Sequence, residues 1–414
     1  MEMGGNQQKD VSMFVLVNFF CGPQHGALYK VNLEHGESGE TSDGAGVEAS
    51  PQVLVPVMKF FDKPLDLPKN CLFNGVRFGS CSKLHIMANG QAYPCKPVTT
   101  PNSFVFDTDT TSVSDLQRFS PPKNAKPYGV VISAYRMLYY FALPSSSPCI
   151  SEPSFERYNP ATDLWESLPS CPYKTRMTVT GYAVCYGYIL ISMYNPRDFA
   201  VMAFHIGTQK WLEVKLTESK YHPFMLGRAM VVDGIIYSLS FTPQEVLAFS
   251  FWQESDDICF LGAPLSLRVR KTAKPPSPMM EEVTQNLVHL GGMDFCLIGT
   301  GRNEYSLDHQ YLCITTFRIL REGGGAEIRT LRSSVFQVDL MKSFFLEVNF
   351  SFTSDCEDVE PEEDCCPTAP VKSKVESTRM TLEDKENIAN RKLYVAAGRE
   401  QDFFSIPTKV AILG

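Results

Sequence analysis

Two stretches of this chain repeat one another at a spacing of 46 residues. Phe155-Glu-Arg-Tyr158-Asn159-Pro160-Ala-Thr-Asp-Leu-Trp165 leads into Tyr182-Ala-Val-Cys-Tyr-Gly187-Tyr-Ile-Leu-Ile-Ser192. Val201-Met-Ala-Phe204-His205-Ile-Gly207-Thr-Gln-Lys-Trp211 leads into Met230-Val-Val-Asp-Gly234-Ile-Ile-Tyr-Ser-Leu239. Tyr158 matches Phe204 and Trp165 matches Trp211 at an offset of 46, and Gly187 matches Gly234 at 47. Each unit is an aromatic strand, a polar turn, an apolar anchor and then an apolar strand pair around a glycine. A repeat of that length built of short strands and turns predicts one four-stranded blade of a β-propeller.

Weaker copies flank the two clear ones. Phe104-Val-Phe106-Asp107-Thr-Asp109-Thr110 reads as an outer strand and turn, with Phe106 lying 52 residues before Tyr158. Tyr128–Leu143 supplies an apolar strand pair, Glu245–Leu261 another outer pair, and Leu287–Gly299 a pair around Gly291-Gly292. Turn dipeptides recur at short spacing, and no long stretch carries the 3.6-residue period of a helix. The expected fold is therefore all-β, a propeller of six or seven four-stranded blades spanning residues 11–352. Residues 1–10 are polar and predict a disordered start. Residues 353–390 are acidic and polar and predict a disordered insert. Residues 391–414 contain two short apolar runs that predict terminal strands, which would close the ring against an N-terminal strand and remove both sheet edges.

The chain has 414 residues, 44% of them hydrophobic, enough for a large core. Its net charge is −8, and seven acids lie between Asp355 and Asp364, so the remainder is close to neutral. No basic field recommends nucleic acid as a partner. Val11–Phe20 is too short for a membrane helix and lacks a positive flank, so the reading is a strand in a protein of the cytoplasm or nucleus, with no membrane partner. The 13 cysteines are irregularly spaced, with no CxxC pair, and read as reduced, mostly buried thiols.

The strand-turn Tyr158-Asn159-Pro160-Ala-Thr-Asp163-Leu-Trp165, the following Leu168-Pro169, Pro172 and Arg176, and the Gly187-Tyr188-Ile189-Leu190 hairpin resemble the kelch repeat. The next unit matches through Phe204, Gly207, Trp211, Arg228 and Asp233-Gly234-Ile-Ile-Tyr237. The resemblance is closest to the degenerate blades of plant kelch and F-box/kelch proteins and covers the chain from about residue 100 onward, although the usual double glycine is absent after both clear units. It implies a non-catalytic protein-interaction module, and by analogy substrate recognition for a ubiquitin ligase. Residues 1–60 show no helical F-box, which weakens the link to ligase components.

The residues singled out divide into anchors and site candidates. Phe106, Tyr158, Trp165, Phe204 and Trp211 are expected to pack between blades, and Gly187 and Gly234 to set hairpin turns. Arg176 and Arg228 precede the inner strand pairs at approximately matching repeat positions, so their guanidinium groups are candidates to bind an acidic peptide at the channel mouth. Tyr128 and Arg302 are further candidates there, and the alternative for both arginines is a salt bridge to a neighbouring blade. Arg268, Arg270, Lys271 and Lys274 form a short basic patch that reads as a solvated loop. No catalytic residue, metal or cofactor is expected. None of the seven histidines is paired at i,i+2 or i,i+4, and no Gly-x-Ser-x-Gly elbow occurs. The rival classes are a copper enzyme of the galactose oxidase type, which shares the propeller, and a small-molecule or sugar-binding propeller.

Overall fold

The computed structural model describes residues 11–353 apart from 21–23, 34–50, 62–70, 79–81, 91–101, 110–115, 127–128, 144–149, 151, 174–176, 196, 218–225, 256–257, 272, 274–278, 304–307 and 323–324. Every regular element among the described residues is a strand. The opening strands are β1 (Val11–Phe20), β2 (Gln24–Leu33), β3 (Gln52–Val53) and β4 (Pro56–Phe61). Next, β5 (Cys71–Arg77), β6 (Lys83–Gly90), β7 (Asn102–Asp107) and β8 (Gln117–Arg118) form a four-stranded antiparallel sheet in chain order. A second such sheet is β9 (Val130–Ala134), β10 (Met137–Phe141), β11 (Phe155–Asn159) and β12 (Leu164–Ser167). A third is β13 (Thr178–Cys185), β14 (Tyr188–Asn195), β15 (Asp198–His205) and β16 (Lys210–Leu216).

The following unit is β17 (Leu226–Val232), β18 (Ile235–Leu239) and β19 (Glu245–Ser255). The two halves of β19 pair separately with β20 (Ile258–Leu261) and β21 (Leu265–Arg268). Parallel pairings of β13 with β17 and of β16 with β20 join this unit to its predecessor. Then come β22 (Met279–Gly291), β23 (Asp294–Asn303), β24 (His309–Glu322) and β25 (Gly325–Asp339), with β3 lying parallel on the edge of β25. The last described strand, β26 (Phe345–Thr353), pairs with β1, giving a sheet in the order β26-β1-β2-β4.

Tight turns explain the hairpins inside these sheets. Tyr135-Arg136, Tyr186-Gly187 and Asp233-Gly234 each place two successive residues at positive φ, between 46° and 77°. This is the type I′ geometry whose twist matches that of paired strands. Between β22 and β23 the double glycine enters the turn one residue earlier, Gly291 pairing with Asp294, with φ of 111° at Gly291 and 53° at Gly292. The double glycine thus sits at the hairpin that Gly187 and Gly234 mark in the other units.

Hydrophobic clusters join the sheets in a circuit. Alternate residues of β1 point to opposite faces, and both faces are buried. Phe14 and Leu16 pack against Phe73, Ile86 and Phe104 of β5–β7. Met13, Val15 and Val17 pack against Ile298, Ile314 and Val338 of β23–β25. The β5–β8 sheet meets the β9–β12 sheet through Val76, Phe78, Met87, Tyr140 and Trp165. Tyr139, Phe141 and Phe155 continue to Ile189, Met202 and Phe204. Cys185, Leu190 and Ala203 pack on Ile236, Phe249 and Cys259. Tyr237, Leu239 and Leu267 reach Phe295, Leu297 and Phe317, which returns the circuit to β22–β24. Each sheet is therefore a blade with two covered faces, which is why its strands read as apolar runs with little alternation. The chain is an all-β propeller, and its described strands form five hydrogen-bonded sheets, one of them the nine-stranded sheet that runs from β13 to β21.

Closure comes from an unexpected place. β26 lies within residues 11–352 as drawn from the sequence, apart from its last residue, and it seals the ring by pairing from Met13↔Thr353 to Phe20↔Phe345. Residues 391–414, expected to do this, lie outside the described residues, as do residues 1–10 and the 353–390 insert beyond Thr353.

The anchor residues recur between blades. Tyr158 stands opposite Trp165, and Phe204 opposite Trp211, as cross-strand pairs with ring centroids 5.4 and 5.1 Å apart. Phe106 is fully buried in the cluster shared with β1. Between β8 and β9 the chain crosses blades, held by a buried ion pair of Lys126 with Glu156. The Lys126 ammonium lies 4.6 Å above the Tyr140 ring, and the Lys123 amide donates to Glu156 Oε1 at 3.0 Å. The six described cysteines, Cys71, Cys171, Cys185, Cys259, Cys296 and Cys313, are buried and none is in a disulfide.

Candidate functional site

The first strands of neighbouring hairpin sets touch one another and form the inner row of strands. In the terminal blade that position belongs to β26, and elsewhere to β5, β9, β13, β17 and β22. Four of these strands border one small recess, about the size of a single water molecule. Arg77 comes from the end of β5, Arg228 and Met230 from β17, Val288 and His289 from β22, and Ser351, Phe352 and Thr353 from β26. The described residues lining it carry two guanidinium groups and an imidazole, and no carboxylate.

Each polar group is held by local structure. Arg77 closes a strand whose other face is core, and only 8% of it is exposed. Its Nη1 donates to the Thr353 carbonyl at 2.8 Å, tying β5 to the end of the closing strand. Arg228 sits within β17, half-buried, with Tyr182 as its parallel ladder neighbour in the preceding blade. His289 faces Phe295 at 5.3 Å, and its Nε2–H donates to the Gly292 carbonyl at 2.8 Å, which fixes the ring. Ser351 is 3% exposed, and its hydroxyl has no hydrogen-bond partner. A buried hydroxyl left without a partner costs about 1–3 kcal/mol.

The four candidates from the sequence fare differently. Arg228 lines the recess, inside β17 rather than ahead of it. Arg176 and Tyr128 lie outside the described residues. Arg302 belongs to β23 opposite Met280, and only its backbone is described. Arg77, His289 and Ser351 were not anticipated. Their sequence signal is slight: one charged residue in the apolar run Val76-Arg77-Phe78, and one serine between Phe350 and Phe352.

The basic patch lies elsewhere. Arg268, the last residue of β21, and Arg270 beyond it are exposed, and the Arg270 carbonyl accepts from Thr330 Oγ1 at 2.8 Å. Burial lowers the pKa of Lys271. Lys274 lies outside the described residues. Among the described residues, no three His, Cys, Asp or Glu side chains converge as a metal site would require.

A family model matches residues 14–336. The chain belongs to this family, described as a protein of unknown function (DUF1668). No curated protein matches the chain. Similar solved structures include YjhT, at 9% identity and a TM-score of 0.41, covering 73% of this chain and 91% of that one. A functionally unknown protein from Desulfotomaculum acetoxidans is similar at 9% identity and a TM-score of 0.39, covering 78% and 80%. TolB from Acinetobacter baumannii follows at 8% identity and a TM-score of 0.35, covering 80% and 66%. At these values the likenesses bear on neither ligand nor activity, and the propeller rests on the strand pairings and the circuit of cores.

Proposed function

We propose that this chain is a kelch-like propeller acting as a non-catalytic protein-interaction module, in which the surface around Arg228 meets an acidic segment of a partner protein. The observation that carries the reading is the convergence of Arg77, Arg228 and His289 on one recess bordered by four inner strands. Guanidinium groups on rigid strands match carboxylates bidentately. A partly desolvated setting strengthens such contacts relative to water. The kelch-like motifs around Trp165 and Trp211 support the same class, and the likeness to F-box/kelch adaptors makes substrate recognition for ubiquitin ligation its more specific form. A module of this kind would work in the cytoplasm or nucleus.

The test is affinity purification of the full chain, wild type against Arg228→Ala, with mass spectrometry of the partners. Arg228-dependent loss of a partner, with unchanged thermal stability of the variant, is the expected result. Identical partner sets from both proteins would end the proposal. Co-purification of Skp1-like adaptors or cullins would support the ligase form, whereas stoichiometric copper in the purified protein would replace the whole reading with an oxidase.

A further inference from the structure

The closing strand β26 is not regular. Its pairing with β1 steps from Val17↔Val348 to Leu16↔Phe350, so Asn349 is an extra residue, a β-bulge. In an unbroken strand Leu346, Val348, Phe350 and Phe352 would share one face. The bulge divides them. Leu346 and Val348 enter the core shared with β23–β25, and Phe350 and Phe352 enter the core shared with β5–β7. Both cores are apolar, so burial by itself does not choose between the bulged strand and a regular one.

Side-chain amides make the choice. Among the described residues, no strand pairs with the edge of β26 turned away from β1. Near the start of β26 the Gln310 side chain takes a strand's place on that edge. The Leu346 amide donates to Gln310 Oε1 at 3.1 Å, and Gln310 Nε2 donates to the Leu346 carbonyl at 3.0 Å. Gln310 Nε2 also donates to Thr300 Oγ1 at 2.6 Å, and Gln310 is 1% exposed. At the bulge, Asn349 Oδ1 accepts from the Gly75 amide of β5 at 3.0 Å. Glycine permits the close packing here, since a Cβ on residue 75 would lie 2.6 Å from Leu16 Cδ2. We propose that Gln310 and Asn349 are a register lock that holds β26 in its bulged pairing and so decides how the ring closes. Successive residues of a strand direct their N–H and C=O groups to opposite edges. A one-residue shift before the bulge would turn the groups of Leu346 toward β1 and leave the Gln310 amide buried and unsatisfied. A one-residue shift after it would absorb the bulge and carry Asn349 away from Gly75. A single buried asparagine fixes register in the same way in coiled coils.

The test is hydrogen exchange of the full chain, read by mass spectrometry on peptides from β1 and β26. Asn349→Leu is expected to speed exchange of Phe350–Thr353 and Met13–Leu16 at least about tenfold, while Phe345–Val348 and Val17–Phe20 change less than about twofold. Gln310→Leu is expected to show the reverse pattern, with Phe345–Val348 loosened most. Asn349→Asp keeps an acceptor for the Gly75 amide and is expected to stay within about threefold of wild type along both strands. An amide that merely adds stability would instead speed exchange evenly along the ladder, in step with the lowered melting temperature. Even acceleration along β1 and β26 would therefore overturn the lock, as would wild-type protection in both Asn349→Leu and Gln310→Leu. Exchange in Asn349→Asp as fast as in Asn349→Leu would remove the Gly75 contact from the lock and overturn the role of Asn349. Where Asn349→Leu does not fold, Asn349→Ala replaces it, with the same pattern expected and the same results decisive.

Discussion

The indole N–H of Trp211 donates to the carbonyl of Pro169 across a blade boundary, at 2.8 Å. Trp165 makes the same bond one unit earlier, to the carbonyl of Ser120 at 2.7 Å. In both cases the acceptor lies in the segment that leaves the outermost strand of the preceding blade. The 46-residue repeat is thus a repeat of contacts between blades. The aromatic partner fills the interface and the indole latches the chain that crosses it.

Replacing either indole by a ring without a donor separates these roles. Trp165→Phe is expected to lose about 1–2 kcal/mol, the hydrogen bond and some area, and Trp165→Ala about 3–5 kcal/mol. Trp211 is less buried than Trp165. Trp211→Ala is therefore expected to cost less than Trp165→Ala. Urea unfolding midpoints at constant m-value would check the order.

Gly234 combines a positive φ of 76° with a tight approach, since a Cβ there would lie 2.5 Å from the Tyr186 hydroxyl oxygen. The same tyrosine position one blade earlier, Tyr135, accepts from the Gly187 amide through its hydroxyl at 2.7 Å. Gly227 also has a positive φ, of 63°, but open space around it. Gly227→Ala is expected to cost about 1–2 kcal/mol from the backbone alone. Gly234→Ala is expected to cost more, and Tyr186→Phe in that background to restore only the excess. A Gly234→Ala loss no greater than that of Gly227→Ala would refute the steric share.

His85 is buried between Phe78 and Phe119, each with ring centroid 5.1 Å away, and its Nδ1 has no partner. Burial first, and then the positive Lys83, lowers its pKa to about 4 from 6.5. Between those two values the unfolded chain binds a proton that the folded chain refuses. Stability from this residue is therefore fully present above pH 6.5 and is lost as pH falls toward 4, by roughly 2–4 kcal/mol. His85→Phe is expected to flatten that part of the stability–pH curve relative to wild type. Parallel curves for the two proteins from pH 4 to 7 would contradict the assignment.

The Lys126–Glu156 pair is fully buried, and desolvation of the ammonium outweighs the pull of Glu156, so the Lys126 pKa lies below its ordinary 10.5. In the interval just below 10.5 the unfolded chain holds the extra proton, so this residue makes stability rise with pH there. Glu156→Gln leaves a buried cation and is expected to cost about 3–5 kcal/mol, whereas Lys126→Met with Glu156→Leu is expected to be close to neutral. Thermal unfolding of the single and double variants reads the difference. A double variant as unstable as the single one would show that the pair contributes stability of its own.

What could be read from the amino-acid order follows the range of the interactions involved. Tyr158 and Trp165 are neighbours across one hairpin, as are Phe204 and Trp211, so their spacing carries the blade directly. Asp233-Gly234 announces its turn by local backbone chemistry. The site is different. Arg77, Arg228 and Ser351 come from three blades, and no local spacing relates them. Arg228 stood out because it lies near a recognisable hairpin. Arg77 sits in a unit whose turn residues are degenerate, and Ser351 looks like ordinary alternation in Phe350-Ser351-Phe352. Its distinguishing property, burial without a partner, exists only once β26 has docked. Closure by Phe345–Thr353 was hidden for the same reason, because the alternation marks a strand but leaves its partner open.

That closure sets an order of events during synthesis. β1 is made well before the strand that covers its edge, since Phe345 follows Phe20 by more than 300 residues. At 5–20 residues per second the delay is on the order of half a minute. Throughout it, the unpaired amides of β1 are a template for any other extended chain. A message truncated before Phe345 would therefore release a protein whose β1 is paired with β2 on one edge and bare on the other.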